Sequence, residues 1–308
     1  MKYYSILIGA LLSSTAATTA VQAREPGLGP SYIPGKTIGT PTALPLPTEF
    51  MFNMSTSYAD NDLYDANGNK TGDTFGNFSE ILRFQWQPGF EVLGGKYRTG
   101  LTVPILNVNA DKVNPVYGAV GDYSEMGIGN IEVTLADISW RLGNGWWLSS
   151  GINVFTPLSS YDESKAVKIG NPFWTFEPNV ALNYANDGWL AAVDLRYTIS
   201  TKNTTTDYRS GDQLFAHAWV TKEIGGFSLG PAVYYNRQVT DDRNSGKNYG
   251  GRTVDMSEQF GIGAIVGRRF EKFSTQLVYT HEVVAKNSQG GDKIWLKFSV
   301  PFGEKAAR

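Results

Sequence analysis

Apolar and polar side chains alternate along most of the chain after residue 48. In the last such stretch Ile294, Leu296 and Phe298 occupy every second position, and Lys293 and Lys297 lie between them. A period of two is typical of a β-strand whose two faces meet different surroundings. About twelve stretches of roughly ten residues repeat this pattern. The predicted strands are 49–58, 79–88, 92–104, 128–141, 146–158, 173–185, 188–200, 213–223, 226–240, 257–270, 272–286 and 292–302.

The connections between the predicted strands alternate in length. Tight turns are predicted at 88–89, 143–145, 186–188 and 225–226. Long polar connections are predicted at 59–78, 105–127, 159–172, 201–212 and 241–256. Bacterial outer-membrane barrels have an even number of strands, tight turns in the periplasm and long loops outside. The pattern therefore predicts an all-β fold, a transmembrane antiparallel β-barrel of about 12 strands over residues 48–302.

Hydropathy and aromatic placement support the same fold. After the N-terminus no apolar run is long enough to cross a bilayer as a helix, and only helices and closed barrels pair all their backbone groups in lipid. The mean hydropathy of −0.25 fits a wall that is apolar on one face only. Aromatic side chains also gather near the tight turns, where rings favour the lipid–water boundary. They are Trp86, Trp140, Trp146, Tyr184, Trp189, Phe227, Phe270, Phe273 and Phe302.

The N-terminal residues form two further segments. Residues 1–23 combine Lys2, a short apolar stretch and a small-x-small ending at Ala23, which predicts a secretory signal and hence export. Together with the barrel pattern, export predicts a location in the bacterial outer membrane. Residues 24–47 contain six prolines and no periodicity. This segment is either a periplasmic tail or a partial plug in the barrel mouth, and the sequence leaves both open. Residues 303–308 are expected to form a short C-terminal tail.

Composition limits the partners. The chain has no cysteine, which excludes thiol chemistry, and its net charge of −2 is scattered, which gives no support for nucleic acid as a partner. Outer-membrane lipid is the expected surrounding, and the sequence does not specify the oligomeric state. The segment that contains aspartates at 60, 62 and 65 lacks the glycine and the terminal glutamate of a calcium-binding loop. We therefore predict no metal and no cofactor.

Alternation also assigns side chains to the barrel interior. A tight turn at 186–188 would bring Glu177 and Arg196 opposite or one step diagonal, where their opposite charges should pair. The alternation slips near Ala136 and Asp137, which predicts a β-bulge. The polar interior candidates are Arg83, Arg98, Glu132, Glu177, Asp194, Arg196, His217, Arg269, Glu282, Lys293 and Lys297. The aromatic ones are Phe173, Phe215, Trp219 and Trp295.

These interior groups allow two interpretations. The charged pairs either hold a narrow interior together or line and select a permeation path. The two histidines, His217 and His281, lack an evident serine partner on the same face, so we predict no catalytic residue. A lipid-modifying enzyme that uses one of them remains an alternative, as does a closed structural or adhesion barrel.

Four motifs resemble a known family. They are FWTFEP at 173–178, TDYRSGD at 206–212, QVTDD at 238–242 and GDKIWLKF at 291–298. In this order they resemble the family named for the meta-pathway of phenol degradation, described as exported outer-membrane transporters found largely in proteobacteria. Where that family often has aspartate after a Gly-x-Gly, this chain has Asn130. The resemblance implies Glu177 in the wall and an extracellular mouth formed by Asp207, Arg209, Asp212, Asp241 and Asp242.

Together these features predict a function. We expect an outer-membrane channel for passive uptake of small hydrophobic or aromatic compounds, without a cofactor and without enzymatic activity. Twelve strands enclose an interior wider than that of an eight-stranded barrel and narrower than that of a general porin.

Overall fold

A computed structural model describes residues 24–112 and 120–305 and shows a closed antiparallel barrel of twelve strands. The fourth strand has two segments, because residues 129–131 interrupt its pairing with the third. The strands are β1 (Thr48–Tyr64), β2 (Lys70–Trp86), β3 (Gly95–Lys112), β4 (Gly121–Ile128 and Glu132–Gly143), β5 (Trp146–Phe155), β6 (Thr175–Asn186), β7 (Trp189–Ser200), β8 (Gln213–Ile224), β9 (Phe227–Gln238), β10 (Glu258–Arg269), β11 (Ser274–Lys286) and β12 (Ser288–Lys305).

The first and last strands close the barrel. β1 pairs with β12 from Phe50 opposite Phe302 to Tyr64 opposite Ser288, and every other strand pairs with its neighbours along the chain. Closure leaves no free sheet edge, so the ladder can be complete in lipid. It also extends β12 to Lys305, three residues beyond the predicted strand end, because Thr48 pairs with Lys305.

Within the described ranges, no helix is long and apolar enough to cross a membrane.

The predicted loops at 59–78 and 105–127 are wrong. β1 continues to Tyr64 and β2 begins at Lys70, so only residues 65–69 form the turn between them. Asp65 stabilises this turn, because its carboxylate accepts the backbone N–H groups of Asn67 and Asn69 at 2.8 Å. β3 likewise extends to Lys112, and residues 113–119 lie outside the described part of the chain.

The predicted faces are confirmed. In β12 Ile294 and Leu296 are exposed on the outer surface, and Lys293, Trp295 and Lys297 are buried inside. The predicted bulge is also present, since the register of β4 with β5 shifts between Thr134 and Ala136. We call the two ends of the barrel the turn end, with its short connections and stacked rings such as Phe50 on Phe302, and the loop end. In outer-membrane barrels these ends face the periplasm and the exterior.

A hydrophobic core lies inside the barrel. It joins side chains from opposite walls with Ile38, which belongs to the segment 24–47. This segment, called the tail from here on, lies against interior side chains along its whole length, from Arg24 on Gln213 to Leu46 on Gln87. The wall members of the core are Ile81, Ala192, Trp219, Ala232, Tyr234, Ile265, Val278 and Trp295.

Gly261 gives the ring of Tyr234 room in this core. A Cβ at position 261 would lie 2.3 Å from a carbon of that ring, which is fully buried. We predict that Gly261→Ala lowers the free energy of unfolding by about 1–3 kcal/mol, as expected for overpacking. The temperature at which the folded band is lost on electrophoresis measures it. The control is Gly76→Ala, whose Cβ would meet nothing nearer than 3.8 Å; equal stability of the two variants would contradict the prediction.

Candidate permeation path

The tail runs through the barrel from the loop end to the turn end. At the loop end the Arg24 guanidinium donates to Gln213 at 2.6 Å and to Ser200 at 3.1 Å. At the turn end the backbone N–H of Leu46 donates to the Gln87 side chain at 2.9 Å. The residues between these points occupy the space through which a solute would pass. Five hydrogen-bonded turns, such as Ile38 N–H to the Gly35 carbonyl, compact the tail on the way.

His217 binds the middle of the tail. Its Nδ1 lies 2.9 Å from the Thr37 hydroxyl, and the Gly35 N–H donates to its Nε2 at 3.4 Å. The ring of Tyr32 packs edge-on against Phe215 with 4.8 Å between centroids. His217 and Phe215 are therefore interior residues, as the alternation predicts, and both contact the tail.

The pair predicted from register is present. The Arg196 guanidinium lies 2.6 Å from the Glu177 carboxylate, and a second edge of it contacts Asp194 at 3.0 Å. Asn179, not Glu177, is directly opposite Arg196, so the pair is diagonal across β6 and β7. Asn153 donates to the same Glu177 oxygen at 2.8 Å. Glu177 is fully buried; Arg196 compensates its charge and Asn153 donates a hydrogen bond to it.

Two further charged side chains of the wall, Arg98 and Glu132, bind the tail. Arg98 pairs with Asp137 at 2.5 Å and donates to the backbone carbonyls of Thr42 and Leu44. Lys36 of the tail pairs with Glu132 of the wall. Because the tail supplies partners to buried charges that would otherwise lack them, its removal would expose these groups to water or leave them unpaired.

The remaining charged candidates occupy different depths. Glu282 accepts the Tyr234 hydroxyl and lies 3.9 Å from Lys293. Lys297 donates to the backbone carbonyls of Lys36 and Ile38 at 2.7 and 2.6 Å. Arg269 lies exposed at the turn-end rim. The predicted interior aromatics Phe173, Phe215, Trp219 and Trp295 are all buried.

A cavity of about 360 Å³ lies beside the tail in the turn-end half of the barrel. Tail residues 36–47 form one side of it, and inward-facing residues of the wall form the other, from Asn153 and Arg196 down to Arg269.

The predicted mouth residues lie in the loops beyond β7 and β9. Arg209 pairs with Asp212 at 3.2 Å and Lys202 with Asp207 at 2.5 Å, while Asp241 is exposed. Asp242 is buried, accepts the Tyr208 hydroxyl and accepts the Gly211 N–H at 2.6 Å. Burial raises the pKa of Asp242, and burial also raises the pKa of Tyr208.

The tail end is held at this mouth. The Glu25 carboxylate accepts both Asn203 at 2.9 Å and Thr206 at 2.7 Å. The Glu25 backbone N–H donates to Ser210 at 3.1 Å. The first described residues of the tail are thus fixed to the loops on the side opposite to the start of β1.

Sequence reasoning missed several residues of the path. Tyr32, Lys36 and Thr37 lie in a segment without periodicity, so no pattern assigns them a face. Asn153 follows the alternation of its strand, whereas Asp137 comes directly after the bulge, where the alternation slips. Asn130 is structural, since its amide donates to the carbonyls of Thr156 and Asn171.

The second histidine lies on the other side of the wall. His281 is on the outer surface, where its Nδ1 lies 3.0 Å from Asp292. Among the described residues, no serine hydrogen bonds to either histidine.

Comparison with known proteins assigns the chain to a family. The model of the family described as "Putative MetA-pathway of phenol degradation" matches residues 60–298. The chain belongs to this family. This is the same phenol-degradation family that the four motifs resemble. The closed barrel, which is apolar on its outer surface, places the protein in the outer membrane of a Gram-negative bacterium. A comparison with curated proteins finds no match.

Solved structures resemble this family member to different degrees. An outer membrane channel from Pseudomonas putida F1 superimposes with a TM-score of 0.72 at 15% identity, over 88% of this chain and 100% of that one. A FadL homologue of Pseudomonas aeruginosa has a TM-score of 0.43 at 12% identity, with 92% and 99% covered. The first similarity supports the fold, and the second is too low to support an argument.

The Glu177–Arg196 pair permits a stability test. We predict that Glu177→Gln lowers the free energy of unfolding by about 1–3 kcal/mol, less than the loss of a whole buried pair, because Arg196 keeps Asp194 as a partner. Thermal unfolding in detergent measures this loss. The matched control is Glu258→Gln, which removes the partially exposed pair with Lys286 and should change stability by less than about 1 kcal/mol. An unchanged melting temperature in Glu177→Gln would contradict the prediction.

Proposed function

We propose that the protein is a passive outer-membrane channel for small apolar or aromatic solutes and that the tail gates its interior. The observation that carries the proposal is the course of the tail, which runs through the barrel interior and is held to the wall by hydrogen bonds and ion pairs. A solute therefore needs only a rearrangement of the tail to cross. Movement down a concentration gradient requires no cofactor.

The chemistry of the interior supports this class of solute. Buried rings of Trp219, Trp295 and Phe215 supply apolar contact along the path. Several interior charges are held in pairs, such as Glu177 with Arg196 and Asp137 with Arg98, so a large hydrated ion meets few free charges along the path. Small solutes with an apolar body fit such a surface better than sugars or other strongly hydrated molecules.

The contacts of the tail are of the kind that a gate requires. Many of the contacts are hydrogen bonds from wall side chains, such as Arg98 and Lys297, to backbone carbonyls of the tail. Each such bond contributes about 0.5–3 kcal/mol to stability. Water can replace these bonds one at a time when the tail moves. The strands around the tail form a continuous ladder that does not have to change.

Deletion of the tail tests the gate. We predict that the mature chain lacking residues 24–47 shows several-fold higher single-channel conductance in a planar bilayer than the chain that keeps them, because the interior is no longer filled. Liposomes that contain the truncated barrel should also become more permeable to phenol. Absence of conductance and of phenol flux in both proteins would overturn the channel function.

An engineered disulfide tests the gate in the full chain. The hydroxyls of Ser31 on the tail and Thr175 on β6 lie 3.0 Å apart, so cysteines at both positions are placed to form a disulfide. The natural chain has no cysteine that would compete. We predict that oxidised Ser31→Cys/Thr175→Cys loses conductance and phenol flux and that a reductant restores both.

The single-cysteine variants, treated with the same oxidant, are the controls. They should conduct like the unmodified protein. If the oxidised double variant also conducts like the unmodified protein, solutes pass without movement of this part of the tail and the gating proposal is wrong.

A further inference from the structure

The cavity beside the tail carries an excess of positive charge. Five arginines and two lysines line it, against one acidic residue, Asp137. Three of these cations have ion-pair partners, because Lys36 pairs with Glu132, Arg98 with Asp137 and Arg196 with Glu177. Such pairs are electrically neutral, so the excess comes from the cations that form no direct ion pair with a described carboxylate.

Arg83 is the first of these cations. It lies in β2 and points inward, and its nearest described hydrogen-bond acceptor is the Thr134 hydroxyl at 3.5 Å. Its Nε is buried and has no hydrogen-bond partner in the described part of the chain. A guanidinium has five N–H donors in a planar fork that matches a carboxylate, and among the described residues Arg83 directs one of them at the Thr134 hydroxyl.

Lys297 is the second. It lies in β12 and is buried, and its ammonium donates only to two backbone carbonyls of the tail among the described residues. These carbonyls are uncharged, so no carboxylate among the described residues forms an ion pair with its ammonium. Arg83 is opposite Asn53 and Lys297 is opposite Ser55 on β1, so the two cations flank the same strand on the same face.

Apolar side chains line part of the cavity, beside threonine, serine and amide side chains. The tail contributes Pro41, Leu44 and Leu46, and the barrel contributes Met51, Ile81 and Leu190. Uncompensated cations next to an apolar surface favour a ligand that has a single negative charge and an apolar body. A carboxylate is planar and bidentate, which suits Arg83, and a volume of about 360 Å³ holds one aromatic ring with its substituent.

We propose that this cavity binds a small aromatic carboxylate, with its charge on Arg83 and Lys297 and its ring against the tail. The inference rests on the proposed channel function in so far as the cavity lies on the permeation path, and it narrows the solute class from apolar aromatics to aromatic acids. The tail is then part of the binding site, because residues 36–47 form one of its walls.

Three probes separate the charge from the ring. Benzoate carries both, benzyl alcohol carries the ring without the charge, and acetate carries the charge without the ring. Titration calorimetry of the detergent-purified full chain should give a dissociation constant for benzoate at least tenfold lower than for either of the others. Equal binding of benzyl alcohol would overturn the role of the cations, and equal binding of acetate would overturn the role of the apolar wall.

Variants assign the charge to its residues. Arg83→Gln and Lys297→Gln should each weaken benzoate binding tenfold or more, and Arg83→Lys, which keeps the charge, should weaken it less than Arg83→Gln does. Lys222→Gln is the matched control, because Lys222 lies at the turn end, donates to the Asp187 carbonyl and does not line the cavity. Unchanged benzoate binding in folded Arg83→Gln and Lys297→Gln would overturn the proposal.

The tests of the binding site and of the channel function can fail independently of each other. Calorimetry requires no transport, so a chain that binds benzoate through Arg83 and never conducts would refute the channel and keep the site. A chain that conducts phenol and binds no benzoate would refute the site and keep the channel.

Discussion

The rest of the structure depends on the pairing of β1 with β12. In lipid an unpaired backbone group is costly, so a sheet of these strands persists only when its two edges meet. That closure fixes which face of each strand points inward, and it thereby gathers charges from strands far apart in sequence into one enclosed volume. Glu132, Glu177 and Asp194 come from three different strands and lie in the same interior because the ladder around them is complete.

Enclosing so many charges creates a requirement that the wall alone does not meet. Arg196 finds its partners on β6 and β7, but Arg98 and Lys297 use carbonyl oxygens of the tail, and Glu132 uses Lys36 of the tail. The tail therefore acts as an internal layer that supplies hydrogen-bond partners and an apolar centre at Ile38. The wall and the tail form one packed unit, although only the wall shows a regular pattern in the sequence.

The sequence predicts the wall well and the tail poorly, for physical reasons. Lipid surrounds the barrel, and water or packed polar groups lie inside it, so neighbouring residues such as Leu296 and Lys297 must differ in polarity. The alternation therefore indicates both the strand and the face on which each residue lies. Near the loop end both sides of β1 are polar, as at Asp60, Asn61 and Asp62, and the alternation disappears although the strand continues. The tail contains prolines and glycines, and its partners lie up to 261 positions away, as Lys297 does from Lys36. No local pattern contains that information, whereas a two-residue turn sets the register of Glu177 and Arg196.

The compact path of the tail has a consequence for its reach. Residues 24–47, fully extended, would measure about 80 Å, whereas the hydrocarbon core that the barrel crosses is about 30 Å thick. Hydrogen-bonded turns such as those at Gly35–Ile38 and Pro41–Leu44 take up the difference. The tail is thus longer than the path it has to cover. If a single turn straightens, that part of the tail becomes longer while both anchors, at Glu25 and at Leu46, stay in place. Free space inside the barrel can be redistributed along its axis without the loss of either end.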